Sequence, residues 1–528
     1  VKDDNTAREI RNLANFVETA CEHFGDKTAF VCGEDVLTYR DVEEKSRALA
    51  SWFQHHTSLK PGDRVAIQLP NILGFPIAAF AALRAGLILV NTNPLYTQRE
   101  MLHQFKDSGA KAIVIFTPLS RKLAAIIDET DISVVIHSHS EEFPTMMARH
   151  RVQQIDMGSI LAGGGGMTLK PVNILPDDIC MLQYTGGTTG LAKGACLTNY
   201  SVIYNMFQTA ERLADTSDPG SELYVCPLPL YHIYAFSVNL ILFFCQGNTN
   251  ILIPNPRDLD SFVELIKPHK FTGFAGINTL FVGLCNHEGF KQLDFSELKL
   301  TLSGGTALVE SARLAWKEVT GCSITEGYGM SETSPVISLN YPGEEHYGTV
   351  GPPLNGTQLE IWDVNNKSLP EGEVGEIVIK GDLVMQGYWN NPEETKNAIS
   401  PDGYFKTGDM GRILEDGCIE IVDRLKDMVI VSGFNVYPSE VEHVLCSHGD
   451  VLEAAVIGVP DTQTGESVRA YITANPELDL AELTAYCREN LTPYKVPKEI
   501  VIVTELPKTA VGKILRKDLR AIAEKVAT

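Results

Sequence analysis

"QYTGGTTGLAKGACLTNY", residues 183–200, sets the problem this chain poses. An apolar run, "ICMLQYT" (179–185), leads into it, and "NYSVIYNMFQTAERL" (199–213) follows with helical periodicity. The spacing predicts a strand, a glycine-rich loop and a helix capped by Thr198 or Asn199. Glycines let successive backbone N–H groups turn toward an anion, threonine hydroxyls add donors, and Lys193 supplies a mobile positive charge. The segment reads as a phosphate cradle; on the loop alone, the bland alternative is a polar turn with an exposed lysine. It is not the common nucleotide loop, G-x-x-x-x-G-K-[ST], because Lys193 is preceded by Ala192 and followed by Gly194.

Outward from this loop, the first half of the chain alternates helix and strand. "RDVEEKSRALASW" (40–52) and "QREMLHQFKDS" (98–108) carry apolar residues at helical spacing, whereas "RVAIQL" (64–69) and "KAIVIF" (111–116) are compact runs of buried-strand type. This alternation predicts α/β layers with largely parallel sheets. "FPIAAFAALRAGLILV" (75–90) is broken by Arg84 and too short to span a bilayer, so it predicts a buried helix running into a strand. "LAGGGGMTLKP" (161–171) reads as a surface loop.

From about residue 355 the texture changes. "QLEIWDVNNKSLPEGEVGEIVIKG" (358–381) and "GCIEIVDRLKDMVIVSG" (417–433) predict short antiparallel strands separated by Gly, Asn and Pro turns. After Asp423 a small α+β unit follows, with a helix "PSEVEHVLC" (438–446), strands "AAVIGV" and "SVRAYIT", and a closing helix "GKILRKDLRAIAEKV" (512–526). The predicted fold class is α/β and α+β: a large multi-layer N-terminal domain with a β section over residues 1–423, and a smaller C-terminal one beyond Arg424.

Composition narrows the function. At 528 residues two or more domains are expected, and 44% apolar with 21% charged residues is ordinary for a globular protein. A formal charge of −23 argues against a nucleic-acid partner but not against small polyanions, which need only a local basic patch. The eleven cysteines include no C-x-x-C pair, which predicts reduced, mostly buried thiols and a cytoplasmic setting. "VKDDNTAREI" carries no signal-peptide pattern. Peripheral contact with the inner face of the cell membrane stays open, as does the choice between monomer and homodimer.

The loop closely resembles the Y-T-S-G-T-T-G-x-P-K-G element of the adenylate-forming (AMP-binding) superfamily, with Gly186 for the usual Ser and Ala192 for the usual Pro. Three further segments match in order. "YGMSET" (328–333) is similar to Y-G-x-T-E, with Ser331 for Thr; residues 404–442 resemble the T-G-D, D-R-x-K-D and G-x-x-V-x-P-x-E elements; and "PKTAVGKILR" (507–516) resembles the C-terminal lysine motif. The resemblance covers essentially the whole chain. "NPLYTQRE", "LPLYHIYAF" and "SGFNVYP" look most like bacterial long-chain fatty acyl-CoA synthetases.

That resemblance implies a two-step reaction using ATP, Mg²⁺ and coenzyme A, in which a fatty acid becomes acyl-AMP and then acyl-CoA. Thr185, Gly186, Gly187, Thr188, Thr189, Gly190 and Lys193 would hold the phosphates that depart as pyrophosphate, and Glu332 would be the Mg²⁺ ligand with Thr185 as a second contact. The nucleoside would lie across Gly304, Gly305, Glu326, Gly327, Tyr328 and Ser331, with Tyr328 stacking on adenine; Glu326 stands where many members have Gln. Asp409 and Arg424 would take the ribose. Lys513 would reach the α-phosphate and the substrate carboxylate during adenylation. Lys426 occupies the family's hinge, 424–430, about which residues 431–528 would rotate as a mobile domain between half-reactions, bringing Gly433 to line a pantetheine tunnel. His232 and Phe236 fall where the family builds its acyl pocket. Residues 507–528 hold six Lys/Arg against two Asp/Glu, of which Arg516, Lys517 and Arg520 read as a solvated basic helix face. Rival readings are an aryl acid (coumarate-type) CoA ligase, an acyl-AMP ligase with another acceptor, and a non-catalytic acyl- or nucleotide-binding module.

Overall fold

A computed structural model of the chain describes residues 12–139, 152–163, 168–185, 192–509 and 513–527. Two compact units result. The first comprises residues 1–345, 353–357 and 380–401, the second residues 346–352, 358–379 and 402–528.

The first unit contains two large sheets. In one, seven strands run in the order Gln153–Asp156, Val134–His137, Ala110–Ile115, Arg64–Gln68, Ile88–Asn91, Ile179–Thr185 and Lys193–Thr198. Every neighbouring pair is parallel except the last. The other has eight strands, Val336–Leu339, Ile324–Gly329, Leu300–Ser303, Gly273–Gly276, Leu223–Cys226, Thr249–Leu252, Thr28–Cys32 and Asp35–Thr38, antiparallel only at its two ends. The α/β layers expected from the alternating texture are present. Central strands are buried on both faces, hence their unbroken apolar runs: Val65, Ala66, Ile67, Ile113, Val114 and Ile115 have no exposed surface.

Helices begin where side chains satisfy the first free N–H groups. Thr38 with Asp41, Thr97 with Glu100, and Thr198 with Ser201 form reciprocal caps on Tyr39–His56, Gln98–Ser108 and Asn199–Arg212. Gly74–Arg84 is the buried helix expected before Ile88–Asn91. Its Arg84 guanidinium has no exposed surface and is matched by Glu18 at 2.6 Å and by Glu43, since an unpaired charge there would be prohibitively costly. No helix among the described residues is long and apolar enough to cross a membrane. All eleven cysteines are unbridged, and eight are buried.

The second unit holds a four-stranded sheet, Gln358–Trp362, Gly375–Lys380, Phe405–Ile413 and Ile419–Arg424, antiparallel across its last three strands. Its other sheet orders Phe434–Val436, Val429–Val431, Gly465–Ala474 and Val451–Asp461, with Glu499–Ile502 parallel to Gly465–Ala474. Val456, Ala470, Ile472, Val441, Leu445 and Leu483 form a core between this sheet and the helices Pro438–Cys446 and Leu480–Asn490. Two expectations for the chain end need correction. The closing helix starts only at Arg516: Ile514 bridges antiparallel to Lys508, and Leu515 N–H donates to the Pro507 carbonyl at 2.8 Å, so Lys513 lies in an extended return rather than on a helix. Nor is Arg516 solvated. It is 17% exposed, bonded to both Glu442 oxygens at 2.8 Å and 3.4 Å from Asp427, which also accepts from Arg520 at 2.8 Å. Only Lys517 of the three is exposed as expected.

Candidate active site

Thr185 and Lys193 are paired across the antiparallel strands Ile179–Thr185 and Lys193–Thr198, so the intervening loop leaves and returns at adjacent points. Gly186, Gly187, Thr188, Thr189 and Gly190 lie outside the described residues. The free edge of Lys193–Thr198 is extended by residues 386–389. Cys196 N–H donates to the Gly387 carbonyl at 2.9 Å, Gln386 N–H to the Cys196 carbonyl at 3.0 Å, and Trp389 N–H to the Gly194 carbonyl at 2.8 Å. One residue earlier, Met385 N–H donates to the Glu332 carbonyl at 2.8 Å. This added segment carries Tyr388 to Lys193 and Glu332 together. The Tyr388 hydroxyl donates to Glu332 Oε1 at 2.9 Å, and Lys193 Nζ sits 5.1 Å from the Tyr388 ring centroid. The Lys193 ammonium is also ion-paired with Glu394, whose carboxyl it holds below the ordinary range. Glu394 lies in the first turn of Pro392–Ala398, capped by Asn391 with Pro392 opening the helix.

Glu332 is 8% exposed, in a single turn Ser331–Thr333 packed on both strands of the loop. Glycines bring that turn in close. A Cβ at Gly329 would stand 2.1 Å from the Pro335 carbonyl oxygen, and one at Gly327 would stand 2.8 Å from Leu339 Cδ1, so neither strand crossing admits a side chain. Tyr328 lies between them, half-buried. Gly304 and Gly305 follow the strand Leu300–Ser303, with Gly305 at φ +81, a backbone that L side chains rarely adopt. The neighbouring Glu326 accepts the Leu308 N–H at 3.2 Å, and burial pushes its carboxyl up to about 7.

On the acyl side, His232 is half-buried and caps Ile233–Ala235, its Nδ1 accepting the Tyr234 N–H at 3.3 Å. Phe236 has no exposed surface and opens a π-helical segment, Phe236–Phe243, buried throughout.

The second unit gathers four of the predicted site residues. Asp409 and Arg424 pair in register on adjacent strands, with Oδ1 and Nε 3.0 Å apart. Burial first, and then the Arg424 charge, lower both Lys426 and Lys513 to about 8, while Asp409 opposes the shift. Lys513 therefore shares its surroundings with three other cations, Arg424, Lys426 and Arg516, and with the Asp409 carboxylate. Gly433 adopts φ +85 beside Ser432 at φ +51, the pair of left-handed residues that a two-residue turn between Val429–Val431 and Phe434–Val436 requires.

Tyr388, Glu394 and the Arg516 network were not singled out from the sequence. The available signal was "GYWNNPEET" (387–395), in which an Asn-Pro-Glu-Glu helix start directly follows two aromatics.

Magnesium takes oxygen ligands and needs few from protein when it also holds phosphates. The buried Glu332 carboxylate, packed on the strands that end at Thr185 and Lys193, fits that chemistry. The one metal-type grouping among the described residues, His346, Asp416 and Cys418, mixes nitrogen, oxygen and sulfur and suits a softer ion.

The profile described as "AMP-binding enzyme" matches residues 17–389, and "AMP-binding enzyme C-terminal domain" matches residues 440–513. The chain is 41% identical to a long-chain-fatty-acid–CoA ligase of Escherichia coli O6:H1, covering 97% of this chain and 94% of the relative. It is 32% identical to 4-coumarate–CoA ligase 2 of Nicotiana tabacum, covering 97% and 93%. A crystal structure of an anthranilate CoA ligase in complex with anthranoyl-AMP superposes with a TM-score of 0.89 at 26% identity, covering 98% of both chains.

Proposed function

Because the chain belongs to the AMP-binding enzyme family, we propose that it joins a long-chain fatty acid to coenzyme A through an acyl-adenylate. A carboxylate cannot accept a thiol directly, because its leaving group would be oxide. In the first step a carboxylate oxygen attacks the α-phosphorus of ATP and the bond to the β-phosphate breaks, giving acyl-AMP and pyrophosphate. In the second, the coenzyme A thiol attacks the acyl carbon and AMP departs.

The first step concentrates negative charge, so catalysis is positioning and neutralisation. Lys193, Thr185 and the backbone of 186–190 hold the β- and γ-phosphates, and Glu332 orients the metal site. Glu332, with Thr185, would hold a magnesium ion, which would supply neutralisation of the phosphates' negative charge. Gly304, Gly305 and Tyr328 flank the adenine. Asp409 accepts the ribose hydroxyls and Arg424 offers a rigid donor fork. Lys513, a compact charge on a long stem, meets the α-phosphate and the substrate carboxylate. The chain turns at Lys426 between the half-reactions, Lys513 withdraws, and the turn at Gly433 borders the thiol's path. The unbridged thiols are in keeping with a reducing, cytoplasmic setting.

What supports the reading most is that Lys193, Glu332, Asp409, Arg424 and Lys513 all stand in one chain aligned end to end with such ligases; a module that merely bound an apolar chain would need none of them. The test is mass spectrometry of products after incubation with ATP, Mg²⁺, coenzyme A and a pool of short to long fatty acids plus an aryl acid. Acyl-CoA and AMP from the long acids are expected. Thioester from the aryl acid alone would transfer the reading to the coumarate type, and acyl-AMP without thioester would mean another acceptor.

A further inference from the structure

We propose that Tyr388 is a positioning residue for adenylation, holding the metal-facing carboxylate of Glu332 and the phosphate-facing ammonium of Lys193 in one arrangement. The inference rests on the roles given above to Glu332 and Lys193.

Two observations converge on it. Tyr388 is attached by backbone on both sides: residues 386–389 extend the strand that begins at Lys193, and Met385 is bonded to the Glu332 carbonyl. A further bond, from the Tyr388 N–H to the Thr395 side-chain Oγ1 at 2.9 Å, ties the residue to the helix that carries Glu394. Its side chain then serves both partners. The hydroxyl donates to Glu332 Oε1 at 2.9 Å, while the ring lies 5.1 Å from Lys193 Nζ. A hydrogen bond to a charged acceptor and a cation held over a ring are each strongly directional. The hydroxyl's bond engages one Glu332 oxygen and leaves the other carboxylate oxygen for a cation.

The chemistry that needs this is magnesium-bound triphosphate. Glu332 would hold the cation and Lys193 would meet the phosphates, so the spacing of these two side chains matters, and Tyr388, which contacts both of them, sets that spacing. Glu394, on the helix tied to Tyr388, completes the frame as the carboxylate partner of Lys193.

The test compares Tyr388→Phe, Tyr388→Leu and Glu332→Gln in the full chain. Affinity for the unreactive α,β-methylene analogue of ATP is measured by calorimetry with and without Mg²⁺, alongside pyrophosphate release and thioester formation from supplied acyl-AMP. Tyr388→Phe keeps the ring and loses the hydroxyl. It is expected to diminish the gain in analogue affinity that Mg²⁺ confers by about tenfold, the scale of one charge-assisted hydrogen bond, with little change in metal-free affinity. Tyr388→Leu is expected to weaken metal-free binding as well, through Lys193. Far-UV circular dichroism and an unchanged denaturation midpoint show that each variant is folded. An unchanged Mg²⁺ gain in Tyr388→Phe, with the gain lost in Glu332→Gln, overturns the role of Tyr388 and leaves the site reading standing. An unchanged gain in Glu332→Gln overturns the metal role of Glu332, and the inference with it.

Discussion

Asp409 and Arg424 face each other in register across two antiparallel strands, with carboxylate and guanidinium 3.0 Å apart and Asp409 only 3% exposed. Each holds the other in place, so for the ribose role we propose, little ordering would remain to be done on binding. Asp409→Asn preserves shape but gives up the charge that aligns Arg424. We expect the KM for ATP to rise by about tenfold or more, with a far smaller change in the KM for the fatty acid. Steady-state kinetics with each substrate varied in turn decides it; equal changes in both would contradict a ribose role.

The proposed role of Lys513 separates the half-reactions experimentally. Lys513→Ala should lower acyl-AMP formation by roughly two orders of magnitude, the usual cost of removing one preorganised charge-stabilising donor. Thioester formation from supplied acyl-AMP should stay near the level of the unaltered chain. Pyrophosphate release and thioester absorbance measure the two independently, and equal loss in both would refute the assignment.

The pH dependence has a definite sign. Burial lowers Lys426 and Lys513 to about 8; the proposed adenylation role needs the charged form, so kcat/KM for ATP should fall as pH rises through about 8. The two lysines share neighbours, and the apparent midpoint belongs to the pair. Lys513→Arg cannot deprotonate and should move the falling limb upward; if only Lys426→Arg moves it, Lys426 is the titrating group. For stability the direction reverses. A lysine at about 8 in the folded chain against an ordinary 10.5 binds its proton less well folded than unfolded. Its charge is thus destabilising below about pH 8, and that cost is relieved between there and 10.5.

Arg516 is expected to be a stability residue. Arg516→Leu leaves Glu442 without its cation and Asp427 with Arg520 alone, and breaking such a buried pair costs about 3–5 kcal/mol. Denaturant unfolding followed by intrinsic fluorescence should show the second unit losing its resistance first. Lys517→Ala, at an exposed position on the same helix, should change the midpoint negligibly.

Periodicity and turn chemistry carried most of the fold. The strand Ile179–Thr185, the cap at Thr198 and the helix Tyr39–His56 are legible because each is local: an apolar run, a hydroxyl before a helix, a 3.6-residue stripe. Long-range pairing was not. Arg516 looked like one more basic residue on a surface helix, because its partners Glu442 and Asp427 are distant in sequence. Tyr388 escaped notice for the same reason, since only the added edge at 386–389 brings it to Glu332. The apolar stretch around Phe236 resisted for a different one: a π-helical turn has neither the 3.6 nor the 2.0 period by which a lining face is recognised.

Asp427 is shared by two arginines of the last helix, one residue beyond Lys426. If the chain turns at Lys426, as we propose, Asp427 would couple that turn to the last helix as a crank couples to a shaft. Lys513, three residues ahead of Arg516, would ride at the end of the arm, and loosening the Asp427 joint would weaken the coupling between the turn and the lysine.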